Sequence, residues 1–401
     1  MNDFMDKRFG LFVHWGPVTL RGTEIGWSRG EQVPTEDYDN LYKEFNPVLF
    51  DADAWVKVAK DAGVKYLVIT AKHHDGFCLW PTAFSNYNIM ATSFKRDIVG
   101  ELAKACKKQG IGFCIYCTVL DWHDDDYPIH RMGRDTVGNM PRFVQRMKNQ
   151  LKELITNYKP NMLWFDGYWE APWTSAYGRE VYEYIKTIDN KVLVNNRLGK
   201  DYASLAAKDA VGDFMTPEQT IGKLNMDEPW ESCMTICEQW AWKPNDKMKS
   251  LKQCIQTLAK SACGNGNLLF NVGPMMDGRI EARQAQRLKE MGDWLKENGR
   301  SVSATKGGPY IPNDVYGSTR KGNKIFIHVF ERKHDTLMLA PLSTVIVKKA
   351  YLMNRLPIGF KQNGTGLVID LPALLPDEND TVIVLETGQN TETIPVVKAS
   401  N

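Results

Sequence analysis

The sequence predicts an α/β protein: an irregular (β/α)8 TIM-like barrel over residues 1–302, followed by a C-terminal antiparallel β-sandwich over residues 303–401. Three observations carry this. Short apolar, strand-like runs alternate with segments of helical spacing up to about residue 298, the pattern of a parallel sheet wrapped by helices. Polar groups suited to chemistry fall at or near the carboxyl ends of those runs, where barrels of this kind carry their sites. After Ser303 the helical spacing stops, and only short strand-like runs separated by turn residues remain.

The first strand is Phe9 to Gly16, with His14 near its end. A glycine-rich loop follows, Gly22 to Gly30, carrying Glu24 and Trp27. Asp51 to Ala62 has helical spacing, with Trp55, Val56, Val58 and Ala59 on its apolar side. Lys65 to Thr70 is the second strand and runs into Lys72-His73-His74-Asp75-Gly76. A helix over Leu102 to Lys108 leads to the third strand, Gly112 to Thr118, which contains Tyr116. The long amphipathic stretch Pro141 to Tyr158 precedes Asn161-Met162-Leu163-Trp164-Phe165-Asp166-Gly167, a buried strand ending on a carboxylate and a glycine. A helix over Tyr177 to Asp189 and a fifth strand, Lys191 to Arg197, come next. From Leu198 to Lys247 the pattern loosens, with one strand at Trp230 to Ile236. Helix Lys249 to Ala262, strand Leu268 to Gly273 and helix Ile280 to Asn298 complete the barrel. The sandwich strands are expected at Lys324 to Glu331, Thr336 to Leu342, Val345 to Met353, Gly366 to Leu371 and Thr381 to Glu386.

Composition narrows the function. Net charge is +2 with no long run of one sign, which gives no reason to expect nucleic acid or an anionic membrane as partner. No apolar stretch approaches the roughly 20 residues that span a bilayer. Met1 is followed within ten residues by the first strand, so the expectation is a cytoplasmic enzyme or one whose secretory leader has been trimmed. Twelve tryptophans, many beside Gly, Asp or His, suit a carbohydrate cleft. Cys114 and Cys117 lie three apart on a strand and so face opposite ways, which argues for free buried thiols over a redox pair or metal clip.

Two carboxylates flanking a sugar bond are the minimum for hydrolysing it. Asp166 is one candidate; its alternative role is to cap the following helix. Glu218, on the irregular segment Asp213-Phe214-Met215-Thr216-Pro217-Glu218, is the preferred second acid, in competition with Glu231, Glu228, Glu170 and Glu24. His14, His73 and His74 show no zinc-ligand spacing, and adjacent histidines on a strand should diverge, so they are expected to bind sugar hydroxyls with no metal or other cofactor. Arg197 offers a forked donor, or a salt bridge to a barrel acid. Tyr116 reads as a pocket or barrel-wall aromatic, and Trp27 and Trp240 as stacking surfaces or ordinary packing.

These residues resemble glycoside hydrolase family 29, the retaining α-L-fucosidases, over about Arg8 to Pro274. The blocks Phe9 to Gly16, Lys72 to Trp80, Lys95 to Gly100, Leu120-Asp121-Trp122, Trp164 to Gly167 and Asn267 to Pro274 stand in family order. The resemblance implies an irregular barrel followed by a β-sandwich, Asp166 as nucleophile, Glu218 as acid/base, and His14, His73, His74, Tyr116, Trp164 and Arg197 around the fucose, with Trp240 covering it. Some members carry an acid directly before the tryptophan matching Trp27; here that position is Gly26, with Glu24 two residues earlier. The implied substrate is a fucosylated glycan. A glycosidase for a related sugar such as galactose and a binding protein without catalysis are the other readings, and an apolar pocket for the C5 methyl group would separate fucose from galactose.

Overall fold

In the computed structural model, which describes residues 1–131, 134–342 and 345–397, the alternating pattern becomes a parallel sheet of seven strands. Their spatial order is Leu193–Val194, Met162–Asp166, Gly112–Thr118, Tyr66–Lys72, Phe9–Val13, Asn267–Val272 and Glu231–Thr235. Every neighbouring pair is parallel, so all carboxyl ends open on one face. The helices Ala52–Asp61, Ile98–Gln109, Met140–Tyr158, Ser175–Ile188, Leu251–Cys263 and Ala282–Asn298 lie between or after the strands. Their starts follow from capping side chains: Asp51, Asp97, Asn139 and Thr174 each accept a first-turn N–H, and Ser250 with Gln253 forms a reciprocal capping box.

The two sheet edges are Leu193–Val194 and Glu231–Thr235, and the 211–218 segment lies between them. It bridges to Asn195 and Arg197 on one side through Phe214 and Val211, and to Trp230 and Cys233 on the other through Met215 and Glu218. Pro217 has no N–H to give, so this eighth stave is held by single bridges instead of a continuous ladder. The fifth strand is accordingly shorter than the Lys191 to Arg197 run suggested: only Leu193–Val194 is regular strand. No helix lies between Val194 and Leu251 among the described residues, which makes the second half of the barrel irregular, as expected.

Alternation places one side-chain set of each stave inside. Phe12, Tyr66, Val68, Cys114, Tyr116, Met162, Trp164, Phe214, Cys233 and Leu269 form that column. Phe4, on a short helix over Asn2–Lys7 that the sequence reading missed, plugs the amino end against Tyr66 and Phe214, with ring centroids 5.7 and 4.8 Å away. Burying that ring is worth about 2 kcal/mol, enough to explain why a six-residue helix is kept. Cys114 belongs to this column and Cys117 to the layer outside it, and all eight cysteines are free and buried.

The C-terminal region is two antiparallel sheets. One runs Lys306–Gly307, Tyr316–Lys321, Lys324–Val329, Thr381–Thr387, Val347–Leu352; the other runs Thr336–Leu339, Gly366–Asp370, Phe360–Asn363. Tyr316–Lys321 and Phe360–Asn363 escaped the sequence reading because Gly, Ser, Thr, Arg, Lys and Gln hide the apolar alternation. Ile325, Ile327, Ile383 and Leu385 face the sandwich core, whereas Phe326, Val382 and Val384 pack into the barrel's outer layer. Residues 343–344 and 398–401, inside the expected sandwich range, lie outside the described residues. No described helix is long and apolar enough to cross a membrane.

Candidate active site

The carboxyl ends of the strands surround a cavity of about 570 Å³. His14, Trp27, His73, Tyr116, Trp164, Asp166, Arg197, Glu218 and Trp240 all line it. His74 stands just behind, with Nε2 3.7 Å from Asp166 Oδ2 and Nδ1 2.7 Å from Thr118 Oγ1.

Asp166 is the last residue of the fourth strand and projects inward two places after Trp164. It is no helix cap: the next helix starts at Ser175 and is capped by Thr174. Gly167 takes φ +98° and leads the chain away; a Cβ there would sit 2.4 Å from Leu120 Cγ. Asn195 pins the strand from its neighbour, accepting from Phe165 N at 2.7 Å and donating to Phe165 O at 2.9 Å. Tyr116 donates its hydroxyl to Asp166 Oδ2 at 3.3 Å.

Glu218 reaches the cavity by the same rule of two, as the next inward position after Phe214 and Thr216 on the irregular stave. One nitrogen of Arg197, Nη1, donates to Asp166 Oδ1 and to Glu218 Oε2, both at 2.8 Å. These oxygens are therefore no farther apart than twice that distance. That is compatible with the about 5–5.5 Å between the carboxyl groups of a retaining pair. The rest of the guanidinium is held by Thr216: Nε donates to its hydroxyl at 2.9 Å and Nη2 to its carbonyl at 3.0 Å. Burial opposes the Arg197 charge, but the Asp166 and Glu218 carboxylates outweigh it and keep the group firmly cationic. Its guanidinium lies 4.7 Å from the centre of the Trp164 ring.

The other candidate acids are committed elsewhere. Glu231 is wholly buried inside the barrel, taking the Tyr66 hydroxyl and Trp164 Nε1. Glu170 takes Trp122 Nε1 and the Tyr127 hydroxyl. Glu228 takes Ser204 Oγ and Leu205 N, and Glu24 takes three backbone amides.

The histidines are not a diverging pair. His73 and His74 follow the strand end, and their ring centroids are 4.2 Å apart. Burial drives His73 well below its ordinary value, reinforced by His74 and His14. Burial pushes His14 down to about 3, so it is a neutral imidazole. Its tautomer is fixed by a chain of partners. Asn271 Nδ2 donates to the Trp240 carbonyl at 2.7 Å, so Asn271 Oδ1 is the atom 2.6 Å from His14 Nδ1 and must accept. The proton is on Nδ1, and Nε2 is left as the acceptor.

Phe12, Tyr202, Thr220 and Cys233 line the cavity and were passed over by the sequence reading; Phe12 is the one with a legible signal. It shares the inward face of the first strand with His14, a period-two signal that was available. Its ring centroid is 5.2 Å from Trp164, 5.9 Å from Tyr116 and 6.0 Å from Trp240, so four aromatic rings make one end of the cavity apolar. Trp27 and Trp169, stacked 5.9 Å apart, and Tyr202 form a half-exposed aromatic rim.

A family model described as α-L-fucosidase matches residues 1–300. Alpha-L-fucosidase isoenzyme 1 from Paenibacillus thiaminolyticus superposes with a TM-score of 0.88 at 32% identity, over 96% of this chain and 98% of that one. An alpha-L-fucosidase from Bacteroides thetaiotaomicron, caught as a covalent intermediate with 2-fluoro-fucosyl fluoride, gives 0.87 at 29% identity, over 96% and 95%. The tissue alpha-L-fucosidase of Mus musculus is 30% identical over 76% of this chain and 71% of its own.

Proposed function

The chain belongs to the α-L-fucosidase family of glycoside hydrolases, and from that premise we propose that it removes terminal α-L-fucosyl groups from fucosylated glycans by double displacement, with Asp166 as nucleophile and Glu218 as acid/base. The observation that carries this reading is the single Arg197 nitrogen shared by the two carboxylates at the cavity.

In the first step an Asp166 oxygen bonds to the anomeric carbon. The bond to the leaving oxygen breaks, and that oxygen takes the Glu218 proton. In the second, Glu218 takes a proton from water and the water oxygen bonds to the anomeric carbon. The ester bond breaks as that bond forms, and Asp166 is again a carboxylate. Arg197 stabilises the negative charge of whichever carboxylate is free. His14 Nε2 accepts a sugar hydroxyl, and His73 and His74 contact others. The end built from Phe12, Tyr116, Trp164 and Trp240 takes the C5 methyl group, which favours fucose over a sugar with a hydroxyl there, because that hydroxyl would lose its hydrogen bonds to water. A binding protein without catalysis would have no need to hold two carboxylates on one cation.

Two variants test the roles. Asp166→Ala should lose about 10⁴-fold or more in kcat, and azide should give at most the inverted glycosyl azide. Glu218→Ala should keep fast glycosylation from aryl fucosides with good leaving groups and lose roughly 10²–10⁴-fold on natural linkages. Azide should speed its turnover with retained configuration; inverted azide from this variant, or equal losses on both substrate types, removes Glu218 from the role.

A further inference from the structure

Trp240 sits in a segment without regular structure, Cys237 to Asn245, yet its backbone is held on both sides. Asn271 of the last barrel strand donates to its carbonyl. Its N–H donates to Glu24 Oε2 at 2.9 Å, and the next N–H, of Ala241, donates to Glu24 Oε1 at 3.0 Å. The two preceding amides, of Glu238 and Gln239, both go to Asp246 Oδ2 at 3.1 and 2.9 Å. Four consecutive N–H groups are thus taken by carboxylate oxygens, two by Asp246 Oδ2 just beyond the segment and two by Glu24, 216 and 217 residues away in sequence.

Glu24 belongs to the loop after the first strand, the loop that also carries Trp27. Its Oε1 accepts a third amide, Ile25 N at 3.1 Å. Glu24 is absent from the cavity lining, whereas Trp27 and Trp240 both face it. Gly26, at φ +69°, is poorly suited to carry a side chain in its place: a Cβ there would sit 3.0 Å from His73 Nδ1.

We propose that Glu24 is a positioning residue: it ties the two aromatic loops together, fixes Trp240 over the sugar, and through Trp240 sets how strongly a methyl group is preferred to a hydroxymethyl group on C5. This rests on the reading that Trp240 closes the C5 end of the cavity. The chemistry asks for a carboxylate, an acceptor-only group, since three N–H donors converge on its two oxygens. In Glu24→Gln the amide oxygen can keep the two donors on one side. Its NH2 then faces the Trp240 N–H, donor against donor, and the Trp240 backbone has to move.

The test compares aryl α-L-fucoside with aryl α-L-galactoside, which differs by one hydroxyl on C6. For Glu24→Gln, KM for the fucoside is expected to rise about tenfold with kcat within about threefold of wild type, and the fucoside-to-galactoside ratio of kcat/KM to fall about fivefold. Trp240→Ala should lower that ratio too, and the double variant should fall no further than Trp240→Ala alone, because the two act as one unit. A lower Tm and kcat with KM and the ratio unchanged would make Glu24 a fold brace only and overturn the proposal. So would a ratio that falls additively in the double variant. If Trp240→Ala itself leaves the ratio untouched, the C5 reading fails instead, and any shift from Glu24→Gln then has another origin. Glu24→Asp keeps two acceptor oxygens with a shorter reach and carries the same readout should the glutamine variant not fold: raised KM and a lowered ratio are expected, and unchanged values overturn the proposal.

Discussion

Asp166 and Glu218 face each other across one cavity but stand on halves of the barrel that are built differently. Asp166 ends a five-residue strand paired on both sides, locked by Asn195 and followed by a glycine whose left-handed turn is required. Glu218 ends a stave held by isolated bridges, behind a proline, and its side chain is 43% exposed against 13% for Asp166. The difference suits the two roles proposed for them. A nucleophile has one trajectory and gains from a fixed position. An acid/base must serve a leaving group of varied size and then a water, from the side where substrate enters. Arg197 is the part that compensates: anchored to Thr216 on the loose side, it reaches across and sets the spacing of the pair.

The sharpest way to break this comparison is Arg197→Lys. An ammonium is a point charge without the planar fork, so it cannot bind Thr216 twice and still bridge both acids. kcat/KM should fall roughly 10²–10³-fold, while Tm moves by no more than about 5 °C, because a lysine keeps a positive charge beside the two carboxylates. A loss of several times that in Tm, with activity per folded molecule preserved, would mean that Arg197 is a scaffold residue and that the halves do not divide the work as stated.

The regular half and its flanking helices offer the converse. Gly292, on the final barrel helix, lies against the end of Ala52–Asp61 so closely that a Cβ would be 1.8 Å from the Asp61 carbonyl oxygen. Backbone stands against backbone there, and neither helix can yield cheaply. Gly292→Ala should cost about 3 kcal/mol of stability, at the upper end of overpacking, with kcat and KM of the folded enzyme unchanged. Unfolding in urea and steady-state kinetics on the same preparation give both numbers. A changed KM would show that the scaffold and the cavity are not separable in this way.

Legibility in the sequence followed the same division. In the regular half each strand is an apolar run with a polar end, and His14, His73, Tyr116 and Asp166 were singled out because strand ends and barrel chemistry coincide, whereas Trp164 came from the family resemblance. The 211–218 stave was opaque: Gly212 and Pro217 interrupt it, and its inward set, Phe214, Thr216 and Glu218, mixes aromatic, hydroxyl and acid, so the alternation has no hydrophobic signature. Glu218 was therefore reached through family resemblance and residue type, not by period. Phe12 was missed for the opposite reason, since an aromatic inside an apolar strand is taken as core. The bonds that explain the site, from Asn271 to Trp240, from Glu24 to the same residue and from Thr216 to Arg197, join residues 19 to 216 apart, and no local pattern encodes them.

Glu231 lies where the two halves meet, and it allows the smallest but most specific test. It belongs to the sixth strand, yet both of its oxygens are used by the regular half, through the Tyr66 hydroxyl and Trp164 Nε1. Burial raises its carboxyl from the ordinary 4.5 to about 7, with the two hydrogen bonds opposing the shift. Between those values the folded chain holds a proton that the unfolded chain has released. Stability must therefore fall as pH rises through that window and level off above it. Glu231→Gln cannot titrate and keeps an oxygen for Trp164. Relative to wild type the variant should thus gain stability as pH rises, by at most about 2 kcal/mol between about pH 5.5 and 7, at about 1.4 kcal/mol per unit. Other titrating groups are common to both proteins and cancel in the difference. Activity at the acid end should stay within about threefold, since the Trp164 ring is still pinned beneath Arg197. Urea melts of both proteins at four or five pH values measure the difference directly. Parallel stability curves would mean that Glu231 ionises as an ordinary glutamate, and that the hydrogen bonds from Tyr66 and Trp164 hold a charge across the junction of the halves instead of a proton.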